Sequence, residues 1–349
     1  MKAVKLSVLR LARTAGLFRL FRWLSRSKVR ILCYHGGNMG DERRFNSLLF
    51  CQADLLEARL QWLQDKGFSI IPLDAAVTML GNDRPRPRPR LPTVLTFDDG
   101  WYSTFRGLHP VLERRQLPAT LYLCTGYFVA GRPNLDVTLS YILWKAGRAQ
   151  ANIQGFDAGV DGAHDLSTSA GKKRLAGAML RWLEQSGASR AGVCADLERF
   201  AAQLGVSAAE LDLASRRFDF VRPDELLQMA SQGWSIELHG HVHQYPVGRP
   251  DELKADLARC QAEIGKVGLP MARHYCYPSG DHDADAHQLL RNLGVVSATT
   301  CIPGLLERAD ERQKFYLSRF LDGENIHPLE FESEMSGFAD FLRRLAGRG

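Results

Sequence analysis

Two adjacent carboxylates, Asp98 and Asp99, follow a short apolar segment and precede Gly100. Residues 92–95 are introduced by proline and rich in β-forming residues, which predicts a buried strand, and the glycine lets the backbone turn. Successive strand side chains point to opposite faces, so both acids can reach one site only if the strand ends between them. Charges so close disfavour joint ionisation unless a cation or hydrogen-bond donors compensate. The pattern is typical of a metal centre with an adjacent base, or of an Asp-Asp-Gly turn that closes a hairpin.

Three histidines, His239, His241 and His243, lie within five residues and follow a predicted strand at 234–238. The outer two are four positions apart, a spacing that a helical turn would place on one face and that a loop could wrap round a cation. Imidazole nitrogen and carboxylate oxygen together suit zinc, and a catalytic zinc site keeps one position open for water. A solvated histidine-rich loop is the alternative.

The elements that must position these residues alternate between strands and helices on both sides of residues 132–221. This alternation predicts a parallel sheet, and the ends of parallel strands in such folds converge on one face. We therefore expect the acids and the histidines to meet there. Residues from about 132 to 221 interrupt the alternation with helical segments, and we interpret them as a helical insertion that carries no recognisable motif.

The basic character of the chain is concentrated at its N-terminus. Residues 1–40 contain nine Lys or Arg and no Asp or Glu, against a formal net charge of +6 for the whole chain, so charge gives no reason to expect nucleic acid binding by the main domain. Residues 1–28 predict a basic amphipathic helix that lacks the uninterrupted apolar run of a secretory signal and is too polar to span a bilayer. Such a helix can lie on an anionic membrane surface or pack on its own domain.

Cysteine usage favours a reducing compartment. The seven cysteines are scattered and form no CxxC pair, and a free cysteine inside a strand behaves as a small buried hydrophobe. Together with the basic helix, this predicts a cytoplasmic protein, peripheral to the inner membrane if the helix contacts lipid.

The motifs resemble those of the polysaccharide deacetylases, the NodB-like homology group of carbohydrate esterase family 4. The pentapeptide TFDDG at 96–100 matches the first family motif residue by residue, and HGHVH at 239–243 matches the second. The segment YPSG at 277–280 is similar to the third, a loop with proline, an aromatic residue and glycine. The resemblance covers roughly residues 29–131 and 222–320.

The resemblance implies that residues 29–349, apart from the insertion, form a distorted (β/α)7 barrel. It also implies that this barrel removes N-acetyl groups from amino sugars. By family analogy, Asp99, His239 and His243 would hold a divalent metal, with Zn²⁺ the metal that this ligand set favours, and Asp98 would be the general base. A backbone N–H at Ser279 would help to stabilise the oxyanion.

Three departures from the family pattern affect the site. Cys276 stands where many members carry an arginine that orients the base, and Arg319 could supply that arginine from another strand. Ser279 replaces the usual aromatic residue of the third motif. Family members commonly use a late histidine to protonate the leaving amine, and the usual sequence motif around that histidine is missing here. His327 is the best candidate for this role. The alternatives are His35, His241, His274 and His282.

We therefore expect a metal-dependent hydrolase that removes N-acetyl groups from an amino sugar in a surface polysaccharide or a lipid-linked glycan precursor. A deformylase or O-deacetylase acting on a related sugar would share the same hydrolytic core, and sequence spacing does not separate these activities. A catalytically silent protein that binds carbohydrate or membrane is the alternative of another class. The complete set of Asp98, Asp99, His239 and His243 argues against it.

Overall fold

The structure is a computed structural model that describes residues 2–81 and 88–347. Its strands are β1 Arg30–Tyr34, β2 Gly36–Gly37, β3 Phe50–Cys51, β4 Ser69–Ile70, β5 Pro92–Asp99, β6 Ala119–Leu123, β7 Gln150–Ile153, β8 Gly162–Asp165, β9 Trp234–Leu238, β10 His274–Cys276, β11 Ser297–Thr299 and β12 Phe320–Leu321.

Seven parallel strands form the central sheet in the order β11-β10-β9-β6-β5-β1-β12, and β4 pairs with the start of β5. All residues of β1, β5 and β6 are buried, as expected for strands covered on both faces. Thr299 of β11 forms a parallel bridge with Leu317, in the segment that leads into β12. The two edges of the sheet therefore approach each other, and the expected distorted (β/α)7 barrel is confirmed.

Helices cover the outside of the sheet and fill the insertion. They are α1 Lys2–Thr14, α2 Leu17–Leu24, α3 Glu42–Phe45, α4 Ala53–Asp65, α5 Leu73–Leu80, α6 His109–Arg114, α7 Thr125–Ala130, α8 Leu135–Ala146, α9 Ser169–Gln185, α10 Arg190–Gln203, α11 Ala208–Leu211, α12 Pro223–Ser231, α13 Pro250–Lys266, α14 Ala286–Asn292, α15 Pro328–Ser336 and α16 Phe338–Leu345. A π-helical turn, Thr104–Leu108, precedes α6.

The insertion is helical, as predicted, but it also contains the antiparallel hairpin β7–β8. Its helices α8, α9 and α10 bury their own apolar cluster, which includes Leu139, Leu175 and Phe200. The chain returns to the barrel where Phe220 bridges Trp101, directly after β5. The insertion therefore leaves and rejoins the barrel beside the Asp98–Asp99 strand end.

The N-terminal segment differs from the single helix expected from the sequence, and the C-terminal segment is divided in a similar way. The N-terminal segment forms α1 and α2, separated at Gly16 (φ 78°), and the C-terminal helix is divided at Gly337 (φ 86°) into α15 and α16. Glycine adopts this left-handed conformation without steric cost, so each helix can end there. The two pairs pack together through Leu9, Phe18 and Phe338, so the N-terminal helices are part of the folded unit.

Candidate active site

The backbone at Asp99 explains how two neighbouring acids serve one site. Strand β5 continues through both residues instead of ending between them, but Asp99 has a left-handed φ of 73° that interrupts the alternation of faces. His243 (φ 56°) and Ser279 (φ 58°) share this conformation. Left-handed non-glycine residues are uncommon and concentrate at functional sites, and three of them lie on the predicted motifs.

Asp99 faces two of the predicted metal ligands. Its Oδ1 lies 3.3 Å from Nε2 of His239 and 3.0 Å from Nε2 of His243, yet neither contact has hydrogen-bond geometry, so this buried oxygen has no donor. Trp101 donates from Nε1 to the other oxygen, Oδ2, at 2.8 Å. The ligand atoms of Asp99, His239 and His243 lie within 4.8 Å of one another. An orphaned buried oxygen between two imidazole nitrogens fits a divalent cation.

The remaining ring nitrogens of both histidines have partners that orient the rings. Nδ1 of His239 donates to the carbonyl oxygen of Cys276 at 2.9 Å, which leaves Nε2 as the unprotonated nitrogen available to a metal. The hydroxyl of Tyr127 lies 3.3 Å from Nδ1 of His243. Such outer partners are typical of metal-binding histidines, because they fix the tautomer and the ring orientation.

The middle histidine, His241, anchors the loop rather than joining the ligands. Its Nδ1 lies 3.0 Å from Oγ1 of Thr125, and its carbonyl oxygen accepts a hydrogen bond from the backbone N–H of Gly126. The buried carboxylate of Asp256 accepts from the backbone N–H groups of His241 and Val242 at 2.8 and 3.0 Å. The loop thus holds its outer histidines by contacts made at the middle one.

Asp98 is buried and surrounded by several donors. Arg319 binds it through two hydrogen bonds, Nη1 to Oδ1 at 2.7 Å and Nη2 to Oδ2 at 2.9 Å. The thiols of Cys33 and Cys276 lie 3.4 and 3.6 Å from Oδ2. Burial alone would raise the pKa of Asp98, but the guanidinium of Arg319 outweighs it and lowers the pKa to about 2. Asp98 is therefore ionised at neutral pH.

The two thiols remain protonated, because burial raises the pKa of Cys33 and of Cys276 well above its usual range despite the nearby Arg319. Each can therefore donate an S–H to Asp98. Cys276 replaces the arginine of the family pattern, and Arg319 contacts its sulfur at 2.9 Å. The structure thus places Arg319 where the sequence suggested an arginine from another strand would lie.

The histidines proposed for proton donation to the leaving group occupy different surroundings. His35, at the end of β1, has Nε2 4.0 Å from Oδ2 of Asp98 and is partly exposed. His327 instead begins α15, where its Nδ1 accepts a hydrogen bond from the backbone N–H of Leu329. Across residues 2–81 and 88–347, no hydrogen bond, ion pair or ring contact connects His327 to Asp98. The structure brings His35, and not His327, to the base.

Ser279 lies in the 3₁₀ turn Pro278–Gly280, which follows β10. Its backbone N–H donates to no acceptor among the described residues, and the residue is exposed. The turn is tied to the histidine loop by the bond from His239 to the carbonyl oxygen of Cys276. A backbone N–H without an acceptor is the feature expected of an oxyanion donor.

The sequence motifs gave no indication that Cys33, Tyr127 and Trp101 would contact the acids and histidines of the site. Trp101 is buried, and its donation to Asp99 could have been suspected only from its position directly after the motif. Cys33 and Tyr127 carried no local signal, because the contacts that matter join strands and helices far apart in the chain.

The fold is an α/β barrel similar to that of solved polysaccharide deacetylases. Residues 186–298 match the family model described as "Polysaccharide deacetylase", a range that contains the second and third motifs but not the first. The resemblance predicted from the motifs is thereby confirmed. The chain is also 30% identical over 97 residues to the Bacillus subtilis (strain 168) protein named "Putative polysaccharide deacetylase YxkH", a match that covers 28% of this chain and about a third of that protein (32%).

Solved structures share the fold over most of the chain. The Streptococcus pyogenes deacetylase PplD, in complex with acetate, matches with a TM-score of 0.56 and 17% identity, covering 89% of this chain and 99% of PplD. IcaB from Ammonifex degensii matches with a TM-score of 0.54 and 15% identity, covering 90% and 97%. A de-N-acetylase from Aggregatibacter actinomycetemcomitans matches with a TM-score of 0.52 and 13% identity, covering 88% and 99%. At these identities the likeness concerns the fold.

Proposed function

We propose that the protein is a metal-dependent hydrolase that removes an N-acetyl group from an amino sugar, within a surface polysaccharide or a lipid-linked glycan precursor. The observation that carries this proposal is the separation of two buried carboxylates by role. Asp99 shares an orphaned oxygen with His239 and His243, whereas Asp98 is ionised and held by Arg319. Metal binding requires the environment of Asp99, and base catalysis requires that of Asp98.

Asp99, His239 and His243 would hold the metal, and two imidazoles with one carboxylate leave a position open, as catalytic zinc sites do. A bound Zn²⁺ would polarise the amide carbonyl and lower the pKa of a water. Asp98 accepts the proton of the attacking water at a carboxylate that Arg319 keeps ionised and oriented. The backbone N–H of Ser279 donates to the oxygen on which negative charge develops.

Protonation of the leaving amine is assigned to His35 in this proposal. His35 is partly exposed, directly follows β1, the strand next to β5, and lies close to Asp98, so one imidazole can reach both the base and a substrate in the open cleft. The sequence-based candidate His327 stays a prediction that its contacts do not favour, since its Nδ1 caps α15.

The cleft beside the ligands has walls that suit a sugar ring. Tyr127, whose hydroxyl reaches His243, stacks on Phe220 with ring centroids 4.6 Å apart. Both rings line a groove of about 150 Å³ that is completed by Leu180 and Glu184 of the insertion helix α9. An aromatic surface edged by polar groups suits an amphipathic ligand, and supports a role for the insertion in substrate choice.

A cytoplasmic site of action, with peripheral contact to an anionic membrane through residues 1–28, completes the proposal. None of the helices in the described part of the chain has the length and apolarity needed to cross a bilayer.

The proposal is tested by metal analysis of the purified protein together with acetate release from N-acetylated amino sugars, free and lipid-linked. We expect bound divalent metal in the wild type. Asp98→Asn should retain the metal but lose about 10²- to 10⁴-fold in rate, as general-base removal does, whereas Asp99→Asn should lose the metal. Asp54→Asn, an exposed acid at the start of α4, is the matched control and should leave both unchanged.

A protein without divalent metal, or an Asp98→Asn variant of normal activity, would show the mechanism to be wrong. Formate release in place of acetate, or release from O-acetyl substrates alone, would assign the deformylase or O-deacetylase alternative to the same core.

A further inference from the structure

Exposed apolar side chains are concentrated on three helices, α1, α2 and α16. These helices hold nine of the seventeen large hydrophobic residues that are exposed in the described part of the chain, although they form less than a tenth of it. The nine are Val4, Val8, Leu11, Leu20, Trp23, Leu24, Phe341, Leu342 and Leu345. Single exposed hydrophobics need no explanation, whereas a patch of them indicates an interaction site.

The patch is continuous across the three helices. Phe21 of α2 packs on Phe341 of α16 with ring centroids 4.7 Å apart, and Val8 of α1 and Leu342 of α16 line one groove of about 460 Å³. The opposite, inner faces of the same helices are already used, because Leu9 and Phe18 are buried in a cluster with other helices of the barrel. The outer faces therefore have no partner within the described chain.

The charges around this patch are basic and partly unpaired. Lys5 and Arg13 turn inward to Glu330 and Glu332 of α15. The exposed Arg10, Arg19 and Arg26 form no ion pair within residues 2–81 and 88–347. The N-terminal forty residues contain no acid that could neutralise them. An apolar face edged by free arginines is complementary to anionic lipid headgroups above an acyl layer.

We propose that the outer faces of α1, α2 and α16 together form a surface that binds an anionic bilayer. The inclusion of α16 goes beyond the N-terminal helix predicted from the sequence, since residues from both ends of the chain build one face. A second copy of the chain is a poor occupant, because two such surfaces would oppose like charges. The helices lie on the bilayer with their apolar side chains inserted.

The surface extends the membrane contact proposed above for residues 1–28, and its orientation connects it with the proposed substrate, so both steps rest on the proposed function. Lys2, at the start of α1, donates to the carbonyl oxygen of Asn325, in the segment that follows β12. The carboxyl ends of the parallel strands, where Asp98 lies, face the same side of the barrel. The start of α1 is thus at the catalytic end, which places the cleft near lipid-anchored sugars.

The test is sedimentation of the purified full-length chain with vesicles of phosphatidylcholine containing phosphatidylglycerol, and with vesicles of phosphatidylcholine alone. We expect binding to the anionic vesicles that weakens at high salt. Leu11→Ser/Leu345→Ser should reduce it at least tenfold, and Arg19→Ala about fivefold, because each basic residue near an anionic surface contributes a factor of that size. The matched controls, Met271→Ser/Leu227→Ser and Arg259→Ala, change exposed residues elsewhere and should bind like the wild type.

Equal sedimentation of the wild type and the double leucine variant, or equal binding to both vesicle types, would overturn the proposal. A wild-type dimer that Leu11→Ser/Leu345→Ser converts to monomer, without vesicle binding, would also overturn it and assign the surface to self-association. Hydrolysis of a soluble N-acetylated sugar, assayed in parallel, separates failure of this surface from failure of the active site, since the helix substitutions lie outside the catalytic machinery.

Discussion

At the scale of single residues, the site depends on two neighbouring carboxylates that lie in different environments. Asp98 and Asp99 are adjacent, but a left-handed backbone at Asp99 turns one carboxylate toward imidazoles and the other toward a guanidinium. The family resemblance implied separate roles for the two acids, and the left-handed backbone gives them separate surroundings. Arg319, which is fully buried, is the group on which the charge of Asp98 depends.

Replacing Arg319 should therefore lower the free energy of unfolding more than replacing an exposed arginine. Arg319→Met leaves Asp98 buried without its counter-charge, and breaking a buried pair from one side typically destabilises by about 3–5 kcal/mol. Urea unfolding measures the effect. Arg249→Met, which breaks the exposed pair with Glu252, should cost less than about 1 kcal/mol, and Arg319→Lys should recover part of the loss. Similar costs for the two methionine variants would contradict the buried-pair interpretation.

Glu237, on β9 two residues before His239, provides a pH dependence of stability. Burial raises its pKa from 4.5 to about 7, although the backbone N–H groups of Arg273 and His274 donate to its Oε2 and oppose the shift. Because the folded pKa lies above the unfolded one, its contribution to stability is complete below pH 4.5 and is lost as the pH rises through 7. The difference between the two pKa values corresponds to a loss of about 3 kcal/mol in the free energy of unfolding.

Glu237→Gln keeps an oxygen acceptor for both N–H groups but cannot ionise. We expect the free energy of unfolding of the wild type to fall between pH 4.5 and 7 relative to this variant, measured by urea unfolding across that range. The control Glu252→Gln, which changes an exposed carboxylate, should follow the wild type. Parallel pH profiles for wild type and Glu237→Gln would show that Glu237 ionises normally.

At the scale of elements, the site is assembled by loops that lock to one another at the strand ends. The loop after β9 carries His239 and His243, and it is fixed by α7 through Gly126 and by α13 through Asp256. The turn after β10 joins this loop through the bond between His239 and Cys276. Each loop thus owes its conformation to neighbours from other parts of the chain, which local sequence does not encode.

Gly126 is where this interlocking is tightest. A Cβ at this position would lie 2.1 Å from the carbonyl oxygen of His241, so Gly126→Ala must displace the loop that bears His243. We expect a 10- to 100-fold loss of metal affinity, the usual effect of disturbing groups that orient metal ligands, measured by metal titration. Gly265→Ala, in α13, has no neighbour within 4 Å and is the control. Unchanged affinity in Gly126→Ala would mean that the loop adapts without moving its histidines.

At the scale of the whole molecule, a closed sheet brings together residues from the beginning, middle and end of the chain. The bridge between β11 and Leu317 positions the segment that carries Arg319 beside β5. The insertion adds a second apolar core at the rim of the cleft. The first two helices pack on the last two, so the N-terminal helices stabilise the barrel on one face while the other face stays exposed.

Two substitutions in α2 distinguish its buried face from its exposed face. Phe18 is buried and packs on Phe338 with ring centroids 5.5 Å apart, so Phe18→Ala should destabilise the whole protein by about 3–5 kcal/mol. Leu20, two residues on, is 48% exposed, and Leu20→Ala should change stability by less than about 0.5 kcal/mol. Thermal unfolding compares them. A negligible effect of Phe18→Ala would mean that residues 1–28 are not integral to the fold.

The sequence by itself determined the features that repeat locally: the alternation of strands and helices, the parallel sheet, the insertion and the strand ends that carry TFDDG and HGHVH. Hydrophobic periodicity and motif spacing encode these features directly. Only the tertiary structure decided that Asp99 is left-handed, that His35 and the thiol of Cys33 approach Asp98, and that the terminal helices divide and join into one surface. These depend on contacts such as Asp98 with Arg319, 221 positions apart, whose geometry exists only once the sheet has closed.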